Sequence, residues 1–424
     1  MPYTRRDFLR ATVGASTLMS LGATVPDFLI RSAAAAAPRR SDRDTILVAI
    51  QLTGGNDGLN TVVPYADDEY ARNRPTLRLP TGELHKIDSL LAFHPRMEAF
   101  LRLYQDGWLS IVQGVGCPNP DQDHERAMRI WHTADPHRPE RQTGWLGRMA
   151  DGAWSPTEPD TTAVFVGPIS RPFALNAENV IVPCIRSLQK SSRLEAASGR
   201  MTSNLEIEAD SPLLQFLRRS TLNAYANSER IEAAIKAANS STGNATFGLA
   251  ADLRTVAQLI RADVGIRVFV AELGGGGIGG FDNHANQLGN HCALLHELAE
   301  SVADFMYDIE RDKLLDRVLL MTFSEFGRTV KENGRRGTDH GAAAPIFLAG
   351  GKVNGGLVGA HPSLTDLDKG ALRFQIDFRQ VYATVLDQWL GFDSQRVLGE
   401  RFGPLDVLKA CSSTVRSIAS AVTS

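Results

Sequence analysis

The sequence predicts an α/β fold in which a mostly parallel central sheet is flanked by helices. Short apolar runs rich in β-branched residues alternate with helical patterns, which is typical of a parallel sheet buried on both faces. Polar residues follow directly after several of these runs, where open α/β sheets place their ligands. The central example is residues 318–328, an apolar strand that ends at Glu325 and Arg328 and is followed by His340. These three side chains are predicted to share one pocket.

Composition and charge narrow the possible classes of protein. The chain has 424 residues, of which 43% are hydrophobic and 22% charged, so it can bury a large core. A net charge of -3 and the absence of long basic runs do not favour a nucleic-acid partner. The four cysteines are scattered without the spacing of a zinc-binding motif.

The N-terminus is typical of a twin-arginine export signal. Arg5 and Arg6 precede a mildly apolar stretch and then a run of alanines at 33–37 that suits a signal peptidase. The alternative, an N-terminal anchor helix, is disfavoured because proline and charged residues interrupt the apolar stretch. We therefore predict a signal peptide over residues 1–37, the twin-arginine translocase as partner during export, a periplasmic or secreted location, and no stable membrane span.

The remaining residues, 38–424, are predicted to form a single α/β domain of the catalytic type. A first strand at 45–52 leads into a glycine-rich turn, and a helix at 89–104 precedes a second strand at 109–113. A helical pattern then runs to residue 133, and a third strand lies at 162–167. Residues 168–248 carry no clustered chemistry and are predicted to be a helical insertion or cap. Alternation resumes with a helix at 249–262, strands at 266–272 and 345–349, a long helix to 313, and a helix at 376–391.

Polar residues occur after four of the predicted strands and are expected to meet at one edge of the sheet. They are Asn56 and Asp57, Asp123 and His124, Asp282 and His284, and Glu325 and Arg328 with Asp339 and His340. Carboxylates with imidazoles are the ligand set for zinc, manganese or iron. Each group also has a simpler interpretation: Asp57 as a turn-former, Asp123 and Asp282 as helix caps, and Glu325 as the ion-pair partner of Arg328. Asp339 is expected either to act with His340 or to orient its ring.

Several blocks of sequence together resemble the DUF1501 family of twin-arginine-exported proteins. They span nearly the whole chain: LTGGNDGLN (52–60), CPNP (117–120), TGWLGR (143–148), FDNHANQ (281–287), SEFGRT (324–329), TDHG (338–341) and DFRQVY (377–382). That family is distantly similar to the alkaline phosphatase and sulfatase superfamily. The resemblance implies an α/β sandwich with a metal site at the strand ends.

The resemblance also implies roles for particular residues. Asp57, Asp282, His284, Glu325 and His340 correspond to metal ligands, and one or two divalent ions, zinc, manganese or calcium, are expected. Glu325 followed by Phe326 departs from the superfamily's Asp–His pair. Asp123 stands where superfamily enzymes carry a hydroxyl or a modified cysteine as nucleophile. A formylglycine sulfatase is not expected, because residues 117–121 have proline one position early and lack the arginine of the sulfatase maturation motif.

These expectations define two functional hypotheses. The first is an exported metal-dependent hydrolase of phosphate or sulfate esters or a related small-molecule or glycan anion, in which metal-activated water attacks. Its catalytic residues would be Asp123, His124 as acid or base, and Arg328 neutralising the developing charge. The second is a non-catalytic periplasmic binding or assembly protein on a degenerate hydrolase scaffold, which the absent nucleophile motivates.

Overall fold

The computed structural model describes residues 45–138, 140–153, 162–168, 171–185, 248–275 and 280–409. The predicted signal peptide lies outside these residues, as does most of the predicted helical insertion at 168–248. The described residues 171–185 of that insertion contain a 3₁₀ turn at Phe173–Leu175 and a short strand. The helical insertion or cap at 168–248 stays a prediction, because most of these residues lie outside the described part of the chain. Within the described residues, no helix has both the length and the apolar content that a membrane crossing requires.

All six predicted strands are present, and the described residues contain eight further short strands. They are β1 (Ile46–Leu52), β2 (Val62–Val63), β3 (His85–Lys86), β4 (Ala92–Phe93), β5 (Leu109–Gly116), β6 (Ala163–Val166), β7 (Cys184–Ile185), β8 (Val268–Leu273), β9 (Val318–Phe323), β10 (Ala344–Ala349), β11 (Gly356–Val358), β12 (Leu367–Asp368), β13 (Ala371–Leu372) and β14 (Ile376–Asp377).

One large sheet organises the described chain. Its strand order is β11-β5-β10-β9-β1-β8-β6-β7, with β14 also paired to β5. Strand β1 lies at the centre and is parallel to both β8 and β9. Strand β10 is antiparallel to both of its neighbours, β5 and β9, whereas the other pairings of this sheet are parallel. The predicted α/β architecture with a mostly parallel central sheet is confirmed.

Helices cover both faces of this sheet. The helices among the described residues are α1 (Asp68–Asn73), which packs in a separate small cluster, α2 (Glu98–Gln105), α3 (His124–Thr133), α4 (Trp145–Ala153), α5 (Gly248–Arg261), α6 (Gln287–Arg311), α7 (Phe378–Thr384) and α8 (Ser394–Leu398). Alternate residues of β1 point to opposite cores: Val48 and Ile50 pack with α2, α5 and α6, whereas Leu47 and Ala49 pack with α3, α4 and α7. Burial on both faces explains why the strand is apolar throughout.

Two predicted helices differ from the observed ones. The helix predicted at 89–104 begins at Glu98, because Ala92 and Phe93 form β4 of a separate three-stranded sheet with β2 and β3. The C-terminal helix continues beyond α7 as a π-helical segment, Val385–Leu390, and ends at Gly391 with a φ of 72°. Glycine adopts this left-handed conformation without steric cost.

The topology brings distant segments to one edge of the sheet. The parallel strands β1, β5, β8 and β9 all end there, so the loops that follow them are neighbours. Because β10 is antiparallel to β9, its first residue lies at this same edge. His340, four residues before β10, therefore joins the loops that follow the parallel strands.

Candidate metal centre

Three histidines and one aspartate converge at this edge of the sheet. Asp282 Oδ1 lies 3.3 Å from His124 Nε2, 3.0 Å from His284 Nε2 and 3.2 Å from His340 Nε2. The Nε2 atoms of His284 and His340 are themselves 2.9 Å apart. We call these four residues the histidine cluster; His124, Asp282 and His340 can offer ligand atoms that lie within 4.8 Å of one another.

The local structure explains how two of these residues reach the cluster. His124 is the first residue of α3, and Asp123 caps this helix by accepting a hydrogen bond of 3.0 Å from the backbone N–H of Arg126. Asp282 follows β8 and packs tightly on the turn after β1. A Cβ added at Gly54, which has a φ of +114°, would lie 2.5 Å from the backbone nitrogen of Asp282. Glycine at position 54 therefore permits the close approach of these two loops.

Each histidine of the cluster has its Nδ1 beside an oxygen acceptor. The acceptors are Glu325 Oε1 for His124 at 2.9 Å, Asp339 Oδ1 for His284 at 3.2 Å, and the backbone carbonyl of Gln122 for His340 at 2.5 Å. Carboxylates and carbonyls accept hydrogen bonds, so the neutral rings carry their proton on Nδ1. The three Nε2 atoms then present lone pairs to Asp282 and to one another.

This arrangement fits a bound cation. Nε2 of His124 is buried without a hydrogen-bond partner among the described residues. The hydrogen bond to Glu325 raises the pKa of His124, so Nε2 of this ring can also carry a proton and donate it to Asp282. A proton on His124 does not account for the second contact, however. The Nε2 atoms of His284 and His340 lie 2.9 Å apart, and neither ring has a proton on that nitrogen to donate. Three imidazole nitrogens and one carboxylate form a donor set that suits zinc, and also manganese or iron.

The carboxylate of Asp282 is prepared to be an anionic ligand. Burial raises its pKa, but hydrogen bonding to Arg328 and the charge of that guanidinium outweigh burial and lower the pKa to about 2. Arg328 Nη2 donates to Asp282 Oδ1 at 2.7 Å. Asp282 is therefore ionised at neutral pH.

Glu325, predicted as a metal ligand, lies behind His124 instead. Its Oε1 accepts from the backbone N–H of Gly54 at 2.8 Å and faces His124 Nδ1, while its Oε2 accepts from Ser324 Oγ at 3.1 Å. The residue is only 3% exposed. Glu325 thus orients a ring of the cluster, a role typical of carboxylates that support metal-bound histidines.

Asp57, also predicted as a ligand, does not belong to the histidine cluster. Its two carboxylate oxygens pair with Arg74 at 2.6 and 3.0 Å, and Gln287 donates a further hydrogen bond. Burial raises its pKa, but Arg74 outweighs burial and lowers it to about 2. Because both oxygens face a guanidinium, we remove Asp57 from the ligand set.

Arg328 and Asp123 also differ from their predicted catalytic roles. The guanidinium of Arg328 is buried and donates to the backbone carbonyls of Gly54, Gly55 at 2.8 Å, Phe281 at 3.1 Å and Thr338 at 3.1 Å. Arg328 therefore clamps three loops together rather than reaching a substrate. The carboxylate of Asp123 caps α3, as one sequence pattern indicated, and lies outside the cluster.

Sequence reasoning missed two features of the centre. His124 was predicted as an acid or base, but its Nε2 joins the cluster itself. Asp339 was linked to His340, but it faces His284, and the ring of His340 is held by a backbone carbonyl. The signal that could have placed His124 in the cluster is its position one residue after the predicted helix cap, Asp123. A backbone carbonyl leaves no signal in the residue types.

An α/β sheet with this donor set at its carboxyl edge defines a candidate metalloprotein. Residues 110–410 match the model of the family described as "Protein of unknown function (DUF1501)". The chain belongs to this family, which confirms the resemblance noted from its sequence blocks. No curated protein matches the chain.

Solved structures similar to this chain include members of the alkaline phosphatase superfamily. The C-terminal periplasmic domain of EcEptC from Escherichia coli, in complex with Zn, is 8% identical with a TM-score of 0.36, over 73% of this chain and 74% of that chain. A protein in the alkaline phosphatase superfamily from Vibrio parahaemolyticus is 10% identical with a TM-score of 0.36, over 85% and 71%. The sulfatase PsFucS1 from Pseudoalteromonas sp. is 8% identical with a TM-score of 0.34, over 84% and 68%.

Proposed function

We propose that this protein is a metal-dependent hydrolase of phosphate or sulfate esters or a related anionic substrate. The observation that carries the proposal is the convergence of three Nε2 atoms on Asp282 Oδ1, all within 3.3 Å. His124, Asp282, His284 and His340 would hold the ion. A divalent ion held by these residues polarises ester oxygens and lowers the pKa of water.

Positive charge at the rim of the cluster supports an anionic substrate. Arg335 and Arg336 are exposed on the loop whose backbone carbonyls accept from Asn286 and Gln287 at 3.1 and 2.9 Å. The same loop is tied to the cluster because Asn333 Nδ2 donates to the carbonyl of His284 at 3.1 Å. Cationic groups around a cleft raise the local concentration of anions.

The residues around the cluster keep the ligands in place. Phe326 packs its ring 4.9 Å from that of His124 and 4.6 Å from that of His340, measured between centroids. Phe326 is 1% exposed, so it shields the inner side of both imidazoles from water. Arg328 holds Asp282 ionised, and Glu325 fixes the ring of His124. The cluster is thereby preorganised to bind a cation.

Elemental analysis and ester hydrolysis test the proposal together. Protein matured through its native export route is expected to contain stoichiometric metal and to hydrolyse p-nitrophenyl phosphate or p-nitrophenyl sulfate. The His340→Ala variant is expected to lose both, whereas His137→Ala, at an exposed histidine, should keep both. Wild-type protein without metal, even after addition of zinc, manganese or calcium, would contradict the proposal. Metal without hydrolysis of either ester would favour the binding or assembly role.

Export is a separate part of the proposal. We propose that residues 1–37 direct the chain through the twin-arginine translocase, as Arg5 and Arg6 before an apolar stretch suggest. Replacing both arginines with lysine should retain the protein in the cytoplasm, measured by cell fractionation. Unchanged export of that variant would contradict the twin-arginine route.

A further inference from the structure

A chain of hydrogen-bonded side chains ends close to the histidine cluster. His132 Nε2 lies 2.7 Å from Gln51 Oε1, and Gln51 Nε2 donates to Thr53 Oγ1 at 2.8 Å. Thr53 Oγ1 in turn donates to Glu272 Oε1. The amide oxygen of Gln51 can only accept, so His132 is the donor. All three hydrogen bonds therefore run in the same direction, from His132 toward Glu272. The proton of the Thr53 hydroxyl is therefore directed at a carboxylate.

Most of this chain is buried in the protein. Gln51 is 5%, His132 6% and Glu272 8% exposed, whereas Thr53 is partly exposed at the carboxyl end of β1. The hydroxyl oxygen of Thr53 accepts one hydrogen bond and donates one. Its second lone pair is used by neither of these two hydrogen bonds, so the hydroxyl can attack an electrophile through it. Thr53 is thus the member that can meet a substrate.

Thr53 is connected to the histidine cluster through its neighbour. The backbone N–H of Gly54 donates to Glu325 Oε1 at 2.8 Å, and the same oxygen lies 2.9 Å from Nδ1 of His124. Two hydrogen bonds therefore separate the peptide after Thr53 from a ring of the cluster. The hydroxyl and the proposed metal site lie at the same edge of the sheet.

Glu272 is suited to take a proton from Thr53. Burial raises the pKa of Glu272, and the charge of Glu325 raises it further, while the hydrogen bond from Thr53 lowers it. On α5, Asp252 also has its pKa raised, to about 7, by burial and by the charges of Glu297 and Glu272. A carboxylate with a raised pKa is a stronger base than a carboxylate whose pKa has its ordinary value.

We propose that Thr53 is the nucleophile of the hydrolase and that Glu272 is its general base. This inference rests on the proposed function, and it assigns attack to a hydroxyl where the sequence indicated water. Ser, Thr and Cys nucleophiles activated by an adjacent base occur widely in hydrolytic enzymes. The roles of His132 and Gln51 are to position the hydroxyl.

The proposed reaction has two displacements. In the first, the bond between Thr53 Oγ and phosphorus or sulfur forms while the ester P–O or S–O bond breaks. The electron pair stays on the leaving oxygen, which takes a proton from solvent, and the proton of Thr53 passes to Glu272. In the second, water attacks the same atom and releases Thr53, which recovers its proton from Glu272, while the proton of the water returns to solvent. The sum is one ester and one water converted to an alcohol and an inorganic anion.

Covalent labelling tests this inference separately from ester hydrolysis. Metal-loaded wild-type protein is treated with diisopropyl fluorophosphate, whose P–F bond breaks as a bond to the nucleophile forms. Peptide mass spectrometry is expected to locate the adduct on Thr53. The label should be absent from Thr53→Val, retained by Thr53→Ser, and slowed about 10²- to 10⁴-fold in Glu272→Gln. Thr365→Val, in an exposed loop, is the matched control and should label normally.

The outcomes separate the two proposals. Metal content of each variant reports whether the fold and the cluster are intact, and Thr53→Ser keeps the hydroxyl if Thr53→Val does not fold. Labelling of Thr53 without hydrolysis of either p-nitrophenyl ester would support the nucleophile and contradict the proposed substrate class. Hydrolysis by wild type without a label on Thr53, or equal turnover by Thr53→Val, would overturn the nucleophile and leave the metal-dependent hydrolase standing. No label and no hydrolysis would overturn both.

Discussion

The Nε2 atoms of His284 and His340 lie 2.9 Å apart, although Nδ1 of each ring is held by an oxygen acceptor. Two lone pairs at this distance repel each other unless a proton or a cation lies between them. Their acceptors place the protons on Nδ1, so a cation is the simplest partner for both. This contact links the fold to the proposed chemistry, since the two residues come from loops 56 positions apart.

We expect metal to stabilise the protein through this pair. A ligand that binds the native state at 100 times its Kd adds about 2.7 kcal/mol to the free energy of unfolding. Thermal unfolding with zinc and with a chelator should therefore give well-separated midpoints for wild type. His284→Ala should abolish the difference, whereas His137→Ala should retain it. An equal shift in His284→Ala would show that zinc binds elsewhere.

Glu325→Gln is expected to weaken metal binding without removing a ligand. The carboxylate accepts from His124 Nδ1 at 2.9 Å, and loss of its charge frees the ring to change tautomer. Removing such a supporting partner typically costs about 10- to 100-fold in metal affinity. Competition with a fluorescent zinc chelator would measure the change, with Glu310→Gln at an exposed position as control. Complete loss of binding would return Glu325 to the ligand set.

Arg328→Lys should destabilise the whole fold. The guanidinium donates to four backbone carbonyls and to Asp282, a geometry that an ammonium group cannot reproduce. We expect urea denaturation to show a loss of about 1–3 kcal/mol, the cost of leaving buried backbone carbonyls without their hydrogen-bond donors. Arg96→Lys, at an exposed position, should be neutral. Unchanged stability with lost activity would restore the predicted role of Arg328 in neutralising the charge that develops during the reaction.

The buried pair of Asp57 and Arg74 should make stability depend on acidic pH. The pKa of Asp57 is about 2 in the folded chain against an ordinary value of 3.8, so the unfolded chain binds the proton more readily. The contribution is present above pH 3.8 and is lost as the pH falls toward 2; it amounts to about 2 kcal/mol. Urea denaturation of wild type and Asp57→Asn at several pH values should show a difference that shrinks over this window. A constant difference would contradict the assignment.

Gly54→Ala is expected to damage the metal centre from outside it. The residue has a φ of +114°, and an added Cβ would lie 2.5 Å from the nitrogen of Asp282 and 2.7 Å from that of Phe281. Backbone strain and this clash should lower stability by more than about 1 kcal/mol and displace Asp282. Metal content and thermal unfolding would measure both effects. Gly82→Ala, which meets nothing within 4 Å, is the matched control, and equal behaviour of the two would contradict the close approach.

Much of the architecture follows from local patterns. Apolar runs predicted β1, β8 and β9 to within a few residues, because a strand buried on both faces must be apolar along its whole length. Helix α3 begins where Asp123 predicted a cap. The prediction failed at residues 89–97, where pairing with β2 and β3 overrides the helical periodicity.

The pattern of apolar and polar residues along the sequence predicts the strands and the polar residues at their ends. For this reason the sequence alone predicted that Asp282, His284 and His340 lie at one edge of the sheet. Which of the edge residues face one another depends on side-chain partners far apart in the chain. Arg74 takes Asp57 away from the cluster, backbone carbonyls take Arg328, and Glu325 stands behind His124. These pairings arise from packing and hydrogen-bond geometry in three dimensions, so only the tertiary structure could decide them.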